Sequence, residues 1–252
     1  MSARLDGRVA LVTGASRGIG AAIARRLAGH GAQVAVHHRR GAEDARAVLA
    51  TLEGEGHFLV AGDLGDPESA RGVVEATVDH YGRLDVLVNN AGVFVQHPPL
   101  STDWDAWVAT WNDTLGANLL GPAHTSYWAA RHLGEGGRIV NIGSRGAYRG
   151  EPNAPAYGAA KAGLHQLTQS LAVALAPRGI SVLGIAPGFV ETAMARPHLQ
   201  GAAGDAVRAQ SPFDRVATVD EVAYWVLCAC MPDAAFASGA IIDVNGASYL
   251  RS

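Results

Sequence analysis

The stretch Val9-Ala10-Leu11-Val12-Thr13-Gly14-Ala15-Ser16-Arg17-Gly18-Ile19-Gly20 decides the fold. A short apolar run passes through three glycines spaced G-x-x-x-G-x-G and leads straight into an amphipathic segment over 19–29. The pattern predicts strand, tight turn, helix. Glycine permits the sharp turn and lets a phosphate come against the backbone, while a helix N-terminus offers free N–H groups and partial positive charge. The spacing is not G-x-G-x-x-G, so it marks a different dinucleotide loop. A plain glycine-rich βα turn is the alternative; the position directly after the first strand favours the phosphate loop.

Outward from this unit the same alternation repeats. Strand-like runs lie over 9–13, 33–36, 58–61, 84–89, 138–142, 180–185 and 240–244, and are nearly continuous in apolar residues. Strands covered on both faces read that way. Helical patterns lie between them, over 19–29, 42–52, 67–81, 112–133, 156–175 and 219–231. Repeated strand–helix–strand units predict an α/β, doubly wound parallel sheet with right-handed crossovers. With no linker, repeat or low-complexity tract, the 252 residues read as one dinucleotide-binding and catalytic domain. Two stretches break the rhythm, 93–111 and 189–218. Both follow strand ends, the edge where open α/β sheets bind ligands, so both are expected to shape a substrate site.

Composition narrows the function. Hydrophobic residues make up 48% and charged residues 17%, enough for a large buried core and against disorder. The net charge of −3 supplies no basic excess, so no nucleic-acid partner is expected. No apolar run reaches membrane-spanning length, so no membrane association is expected. Asp6 and the short run after it argue against a signal peptide. Two cysteines, Cys228 and Cys230, read as small hydrophobes in a reducing cytoplasm. The ten histidines are dispersed, with no metal-binding spacing, so no metal is expected.

Tyr157-Gly158-Ala159-Ala160-Lys161 places a phenol and an ammonium four residues apart, on one face of a helix. A nearby ammonium favours the phenolate, which would make Tyr157 a general acid or base near neutrality. Lys161 is the only lysine in the chain, the other 19 basic residues being arginines. A compact point charge therefore stands at the one place where its three rotatable donors would matter. Ser144 follows the fifth strand, thirteen residues before Tyr157; a turn cap is its alternative role. Asn118 sits inside a helical pattern that Asn disfavours, where it could also be a satisfied surface polar residue.

Together these residues resemble the short-chain dehydrogenase/reductase family in its single-domain branch. The resemblance runs from Val9 to Asn245. It is carried by the Thr13–Gly20 loop, Asp63-Leu64, Asn89-Asn90-Ala91-Gly92, Ser144, Tyr157 with Lys161, and Pro187-Gly188 followed by Thr192. The family implies a Rossmann-type sheet of seven parallel strands in the order 3-2-1-4-5-6-7, and a bound nicotinamide dinucleotide. It implies that Tyr157 gives a proton to a substrate carbonyl, that Ser144 holds the carbonyl oxygen, and that Lys161 binds the nicotinamide ribose and lowers the Tyr157 pKa. Asn118 would hold a water that connects Lys161 to solvent. Gly14, Ser16, Arg17, Gly18, Ile19 and Gly20 would hold the dinucleotide's phosphates. Asp63 and Leu64 would meet the adenine, and Asn90, Ala91 and Gly92 its ribose. Pro187, Gly188, Val190 and Thr192 would fix the nicotinamide carboxamide. The implied reaction interconverts a small-molecule ketone or aldehyde and an alcohol, with a 3-oxoacyl-carrier-protein as one candidate substrate. Arg178 suits an acidic carrier, but Glu135 stands where a base would help. A non-catalytic dinucleotide sensor would lack Tyr or Lys, and both are present. The family also implies a homotetramer built on two helices and the last strand.

The second strand ends His37-His38-Arg39-Arg40 with no acid to meet a ribose 2′-hydroxyl. His38, Arg39 and Arg17 form a cationic cradle suited to a 2′-phosphate, so NADP(H) is expected over NAD(H). A solvated basic turn is the alternative. Trp104, Trp107 and Trp111 fall at helical spacing and read as a packed face rather than an aromatic substrate pocket.

Overall fold

The structure is a computed structural model that describes residues 4–196 and 199–251. In β1 (Val9–Val12), Ala10 and Val12 point into one core and Val9 and Leu11 into another, and all four are buried. The other strands are β2 (Gln33–His38), β3 (Phe58–Ala61), β4 (Leu84–Asn89), β5 (Leu133–Ile142), β6 (Ser181–Pro187) and β7 (Ile241–Val244); in β2 the alternation recurs, Val34 and Val36 facing one core and Ala35 the other. The strands read as continuously apolar because helices cover both faces. They pair in the order β3-β2-β1-β4-β5-β6-β7, every pair parallel, as the resemblance implied.

The helices are α1 (Gly18–Gly29), α2 (Ala42–Leu49), α3 (Pro67–Tyr81), α4 (Trp104–Leu115), α5 (Gly121–His132), α6 (Pro155–Leu175), α7 (Gly201–Arg208) and α8 (Val219–Cys230). Ile23 and Leu27 of α1, Val48 of α2 and Val226 of α8 fill one core; Val74 of α3, Ala129 of α5 and Ala172 of α6 fill the other. Parallel strands connected by crossovers all end at one edge of the sheet. The loops after β1, β4, β5 and β6 therefore meet there, although they are far apart in sequence.

Several elements differ from the sequence reading. Helix begins at Trp104, eight residues earlier than expected, because the Asp103 side chain caps it by accepting from the Ala106 N–H at 2.9 Å. α4 continues into α5 through one π-helical turn, Gly116–Leu120. Pro122 has no N–H to give the Asn118 carbonyl four residues back, so the regular ladder cannot run through this turn. β5 starts at Leu133, with a register shift against β4 between Leu84 and Val86. The 189–218 stretch contains α7; its Pro197 and His198 lie outside the described residues. Trp107 and Trp111 pack against His97, with ring centroids 5.4 and 6.5 Å away, whereas Trp104 is 74% exposed.

Candidate active site

The β1 loop is stitched to the β4 loop by its own side chains. The Thr13 Oγ1 accepts from the N–H groups of Asn90 and Ala91, at 2.9 and 3.0 Å. The Asn90 amide donates to the carbonyls of Thr13 and Gly14. Asn90 thus shapes the loop with the side chain that was expected to line a ribose. Gly14 takes φ +62, and a Cβ there would stand 2.8 Å from the Ala91 Cα. A Cβ on Gly20 would stand 2.4 Å from the Gly14 carbonyl oxygen. No other residue fits either place. Thr192 reaches over from the β6 side, its Cγ2 3.5 Å from where a Gly18 Cβ would lie. Beside Thr192 opens a cleft of about 690 Å³ that includes Arg196, Gln200 and Arg208.

His37 was missed in the sequence and holds this end of the sheet together. Its Nδ1 accepts from the Gly14 N–H at 3.0 Å, so Nε2 carries the proton and donates to the Gly62 carbonyl at 3.1 Å. Burial pushes its pKa down to about 4. One neutral imidazole thereby ties the ends of β1, β2 and β3. The next residue, His38, has a buried Nδ1 with no partner among the described residues. Arg17 and Arg40 are exposed, and Arg39 makes an exposed 3.3 Å ion pair with Asp63, which joins the expected phosphate cradle to the expected adenine contact. Leu64 is buried beside them.

The second half of the site lies after β4, β5 and β6. The buried Asn118 sits in the π turn and clamps the Val93 backbone: its Oδ1 accepts from the Val93 N–H and its Nδ2 donates to the Val93 carbonyl, both at 2.8 Å. Val93 thus engages both ends of the side chain. Lys161 is buried and donates from Nζ to the Ile142 carbonyl at 2.7 Å. Burial pushes its pKa down to about 8. The Ser144 Oγ accepts from the Gly146 N–H at 2.9 Å, and Ser144 lies near enough to the Tyr157 hydroxyl to pull its pKa down. Phe94 packs edge-on against the Tyr157 ring at 5.0 Å. Pro187 ends β6, and the next N–H, of Gly188, bonds the Val244 carbonyl. Val190 bridges to Ala217, which brings Thr192 back over the glycine loop.

The expected effect of Lys161 on Tyr157 is not what the geometry gives. The Lys161 Nζ is 5.8 Å from the Tyr157 ring centroid and is drawn to Ile142. Burial raises the Tyr157 pKa, the Ser144 hydrogen bond pulls it down, and Glu151 raises it again.

Three further residues could not be found by motif. His97 is buried; its Nε2 accepts from the Ala156 N–H at 3.2 Å and its Nδ1 faces the Val95 carbonyl at 2.9 Å. It caps the first turn of α6, which bears Tyr157. His165, one turn beyond Lys161, lies against Ser144, whose N–H points at Nε2 from 3.4 Å. Burial lowers its pKa to about 4, and Lys161 adds to the effect. Arg145 is buried and donates to the Ser248 Oγ and the Gln210 Oε1, which ties the β5 loop to the C-terminal residues.

The site fits a dinucleotide on its own geometry. The glycine cradle leaves backbone exposed where phosphates bind. Lys161 has donors beyond the one given to Ile142, and the exposed Gly92 between it and Asn118 has no room for a side chain: a Cβ would stand 2.6 Å from the Asn118 Oδ1 and 3.7 Å from the Lys161 Nζ.

Known proteins agree with this geometry. The family model described as Enoyl-(Acyl carrier protein) reductase matches residues 14–247. A 3-oxoacyl-[acyl-carrier-protein] reductase of Vibrio cholerae is 37% identical, over 98% of this chain and 99% of its own. A cis-4-hydroxycyclohexanecarboxylate dehydrogenase of Sinomonas cyclohexanicum is 38% identical, over 95% of each. The crystal structure of a short-chain dehydrogenase from Burkholderia cenocepacia in complex with NADP superposes with a TM-score of 0.89 at 40% identity, covering 97% of this chain and 99% of the other. The fold, the order of the site loops and these matches place the chain in the short-chain dehydrogenase/reductase family of oxidoreductases.

Proposed function

We propose that the protein is an NADP(H)-dependent carbonyl reductase, reversible as an alcohol dehydrogenase, with Tyr157 as its general acid and base. The convergence of Tyr157, Ser144 and Lys161 beside the glycine cradle carries this reading. Ser144 and the Tyr157 hydroxyl are close neighbours, so both can turn to a carbonyl oxygen placed between them. Ser144 is oriented by the Gly146 N–H and stabilises charge as it develops on that oxygen. A bound nicotinamide dinucleotide supplies the hydride, and Gly14, Ser16, Arg17, Gly18, Ile19, Gly20, Asp63, Leu64, Asn90, Ala91, Gly92, Pro187, Gly188, Val190 and Thr192 hold it. Tyr157, protonated at neutral pH, gives its proton to the substrate oxygen. Lys161, fixed by Ile142, holds the nicotinamide ribose with its remaining donors, and a path past Asn118 returns the proton.

The cofactor choice rests on charge. Arg17, His38, Arg39 and Arg40 surround the end of β2 without an acid on that strand, and the Burkholderia cenocepacia relative was crystallised with NADP. NAD(H) is the alternative. The substrate is a small carbonyl compound or alcohol. A 3-oxoacyl thioester is one candidate through the Vibrio cholerae relative, although the Arg178 guanidinium is engaged by the carbonyls of Ala130 and Leu133.

The whole chain acts as one domain, with 93–111 and 189–218 shaping the substrate site. The protein works in the cytoplasm, consistent with its two unpaired cysteines. It assembles as a homotetramer: Trp104, Leu120 and Tyr127 on α4–α5, and Trp225, Phe236 and Leu250 near α8 and β7, are exposed apolar side chains on two faces. Light scattering that finds a monomer at micromolar concentration contradicts the assembly. NADPH oxidation with a panel of ketones, aldehydes and 3-oxothioesters tests the activity; no turnover of any class contradicts it.

A further inference from the structure

Glu151 lies in the segment between Ser144 and Tyr157, and its side chain packs between the glycines that neighbour them. A Cβ built on Gly146 would be 2.9 Å from the Glu151 Oε1 and 3.3 Å from the Ser144 Oγ, so the two oxygens are at most about 6 Å apart. A Cβ on Gly158, the residue after Tyr157, would be 3.7 Å from the Glu151 Cβ. The carboxylate is therefore next to the place where a carbonyl oxygen meets Ser144 and Tyr157.

This carboxylate has no partner of its own. Among the described residues its carboxylate accepts no hydrogen bond and makes no ion pair, although the residue is partly buried. The basic groups facing it are Arg145 and Arg149, and both bond the Gln210 amide oxygen instead. A partly buried carboxylate that no protein donor serves is open to a donor brought by a ligand.

We propose that Glu151 is a specificity-determining residue that accepts a hydrogen bond from a hydroxyl group near the reacting carbonyl, so that hydroxyketones and the corresponding diols are the favoured substrates. A hydroxyl on the α- or β-carbon lies within reach of both the Ser144–Tyr157 pair and a group at most about 6 Å from Ser144. The same carboxylate repels a carboxylate at that position. The inference rests on the reductase reading above. Burial raises the Glu151 pKa while Arg149 and Arg145 lower it, which agrees with a carboxyl that has found no partner in the protein.

The test measures kcat/KM with NADPH for three substrates of equal length: an alkyl ketone, its hydroxyketone and its ketocarboxylate. It uses the unaltered protein, Glu151→Ala and Glu151→Gln. Ratios between substrates are the readout, because a general loss of site structure lowers all three together and leaves the ratios unchanged. A hydrogen bond to a charged group contributes about ten- to a hundredfold. The unaltered protein is expected to favour the hydroxyketone over the alkyl ketone by at least tenfold, and Glu151→Ala to remove that preference. Glu151→Gln should raise the ketocarboxylate-to-alkyl-ketone ratio by at least tenfold. Ratios within threefold of the unaltered protein's in both variants overturn the proposal. Turnover of none of the three by the unaltered protein overturns the reductase reading, and this proposal with it.

Discussion

His97 and Ala156, 59 residues apart, are joined by a hydrogen bond from the Ala156 N–H to the His97 imidazole at 3.2 Å. The first turn of α6 has no side-chain cap of its own, so a residue from the β4 loop supplies it. The cap fixes the helix start one residue before Tyr157.

His97→Leu keeps the volume and removes the acceptor, leaving the Ala156 N–H and the Val95 carbonyl unpaired. The expected loss is about 2–4 kcal/mol of stability, measured by urea unfolding. Turnover should fall more than dinucleotide affinity, since the displaced group is Tyr157. A variant with unchanged stability and turnover would mean that the cap is dispensable.

The glycine cradle makes a steric prediction. Gly20→Ala brings a methyl to 2.4 Å from the Gly14 carbonyl oxygen, a backbone atom that cannot step aside. Dinucleotide affinity should drop at least tenfold by titration calorimetry, with a loss of about 1–3 kcal/mol in stability. Unchanged affinity would show that the loop does not face the phosphates.

Two buried histidines make stability fall in acid. His37 and His165 are both depressed to about 4 in the folded chain, against about 6.5 unfolded. Below pH 6.5 the unfolded chain takes up protons that the folded chain refuses. Their contribution is therefore complete above pH 6.5 and is lost as pH falls toward 4, by up to about 3 kcal/mol each. Urea midpoints at pH 7.5, 5.5 and 4.5 should fall in that order, and more shallowly in His165→Leu. A midpoint that holds steady to pH 4.5 would contradict the buried neutral imidazoles.

NADPH should be preferred to NADH by about ten- to a thousandfold in kcat/KM, mainly through KM, since a charged hydrogen bond to phosphate contributes about 1.5–3 kcal/mol. The exposed Arg39–Asp63 pair does not stand in the way, because such pairs hold weakly and Arg39 can leave it. Replacing His38 with Asp and Arg39 with Ser should reverse the order, and added salt should shrink the preference. Initial rates with both cofactors decide it; equal efficiency would make these arginines a solvated turn.

What the sequence discloses and what it hides divide along contact range. The glycine loop and the Tyr157–Lys161 pair are legible because their spacing is local, within a turn or one helical repeat. The strand order follows from the family resemblance. The π turn around Asn118 is hidden because it reads as ordinary helix until Pro122 is weighed as a missing donor. His37, His97 and His165 act through partners 23, 59 and 21 residues away, and no local pattern marks a buried acceptor. Glu151 is hidden for the same reason, since its significance comes from packing against Gly146 and Gly158. The direction of the Tyr157 pKa also needed coordinates: the spacing put Lys161 nearby, but the Ile142 carbonyl holds its ammonium and burial dominates.

The most direct test is single-turnover hydride transfer in Tyr157→Phe. The substitution removes one oxygen and leaves the ring packed against Phe94. The expected result is unchanged folding and NADPH affinity with hydride transfer slowed by about a thousandfold or more, since a proton donor and an oxyanion contact are lost together. Transfer at close to the unaltered rate would contradict Tyr157 as the proton donor.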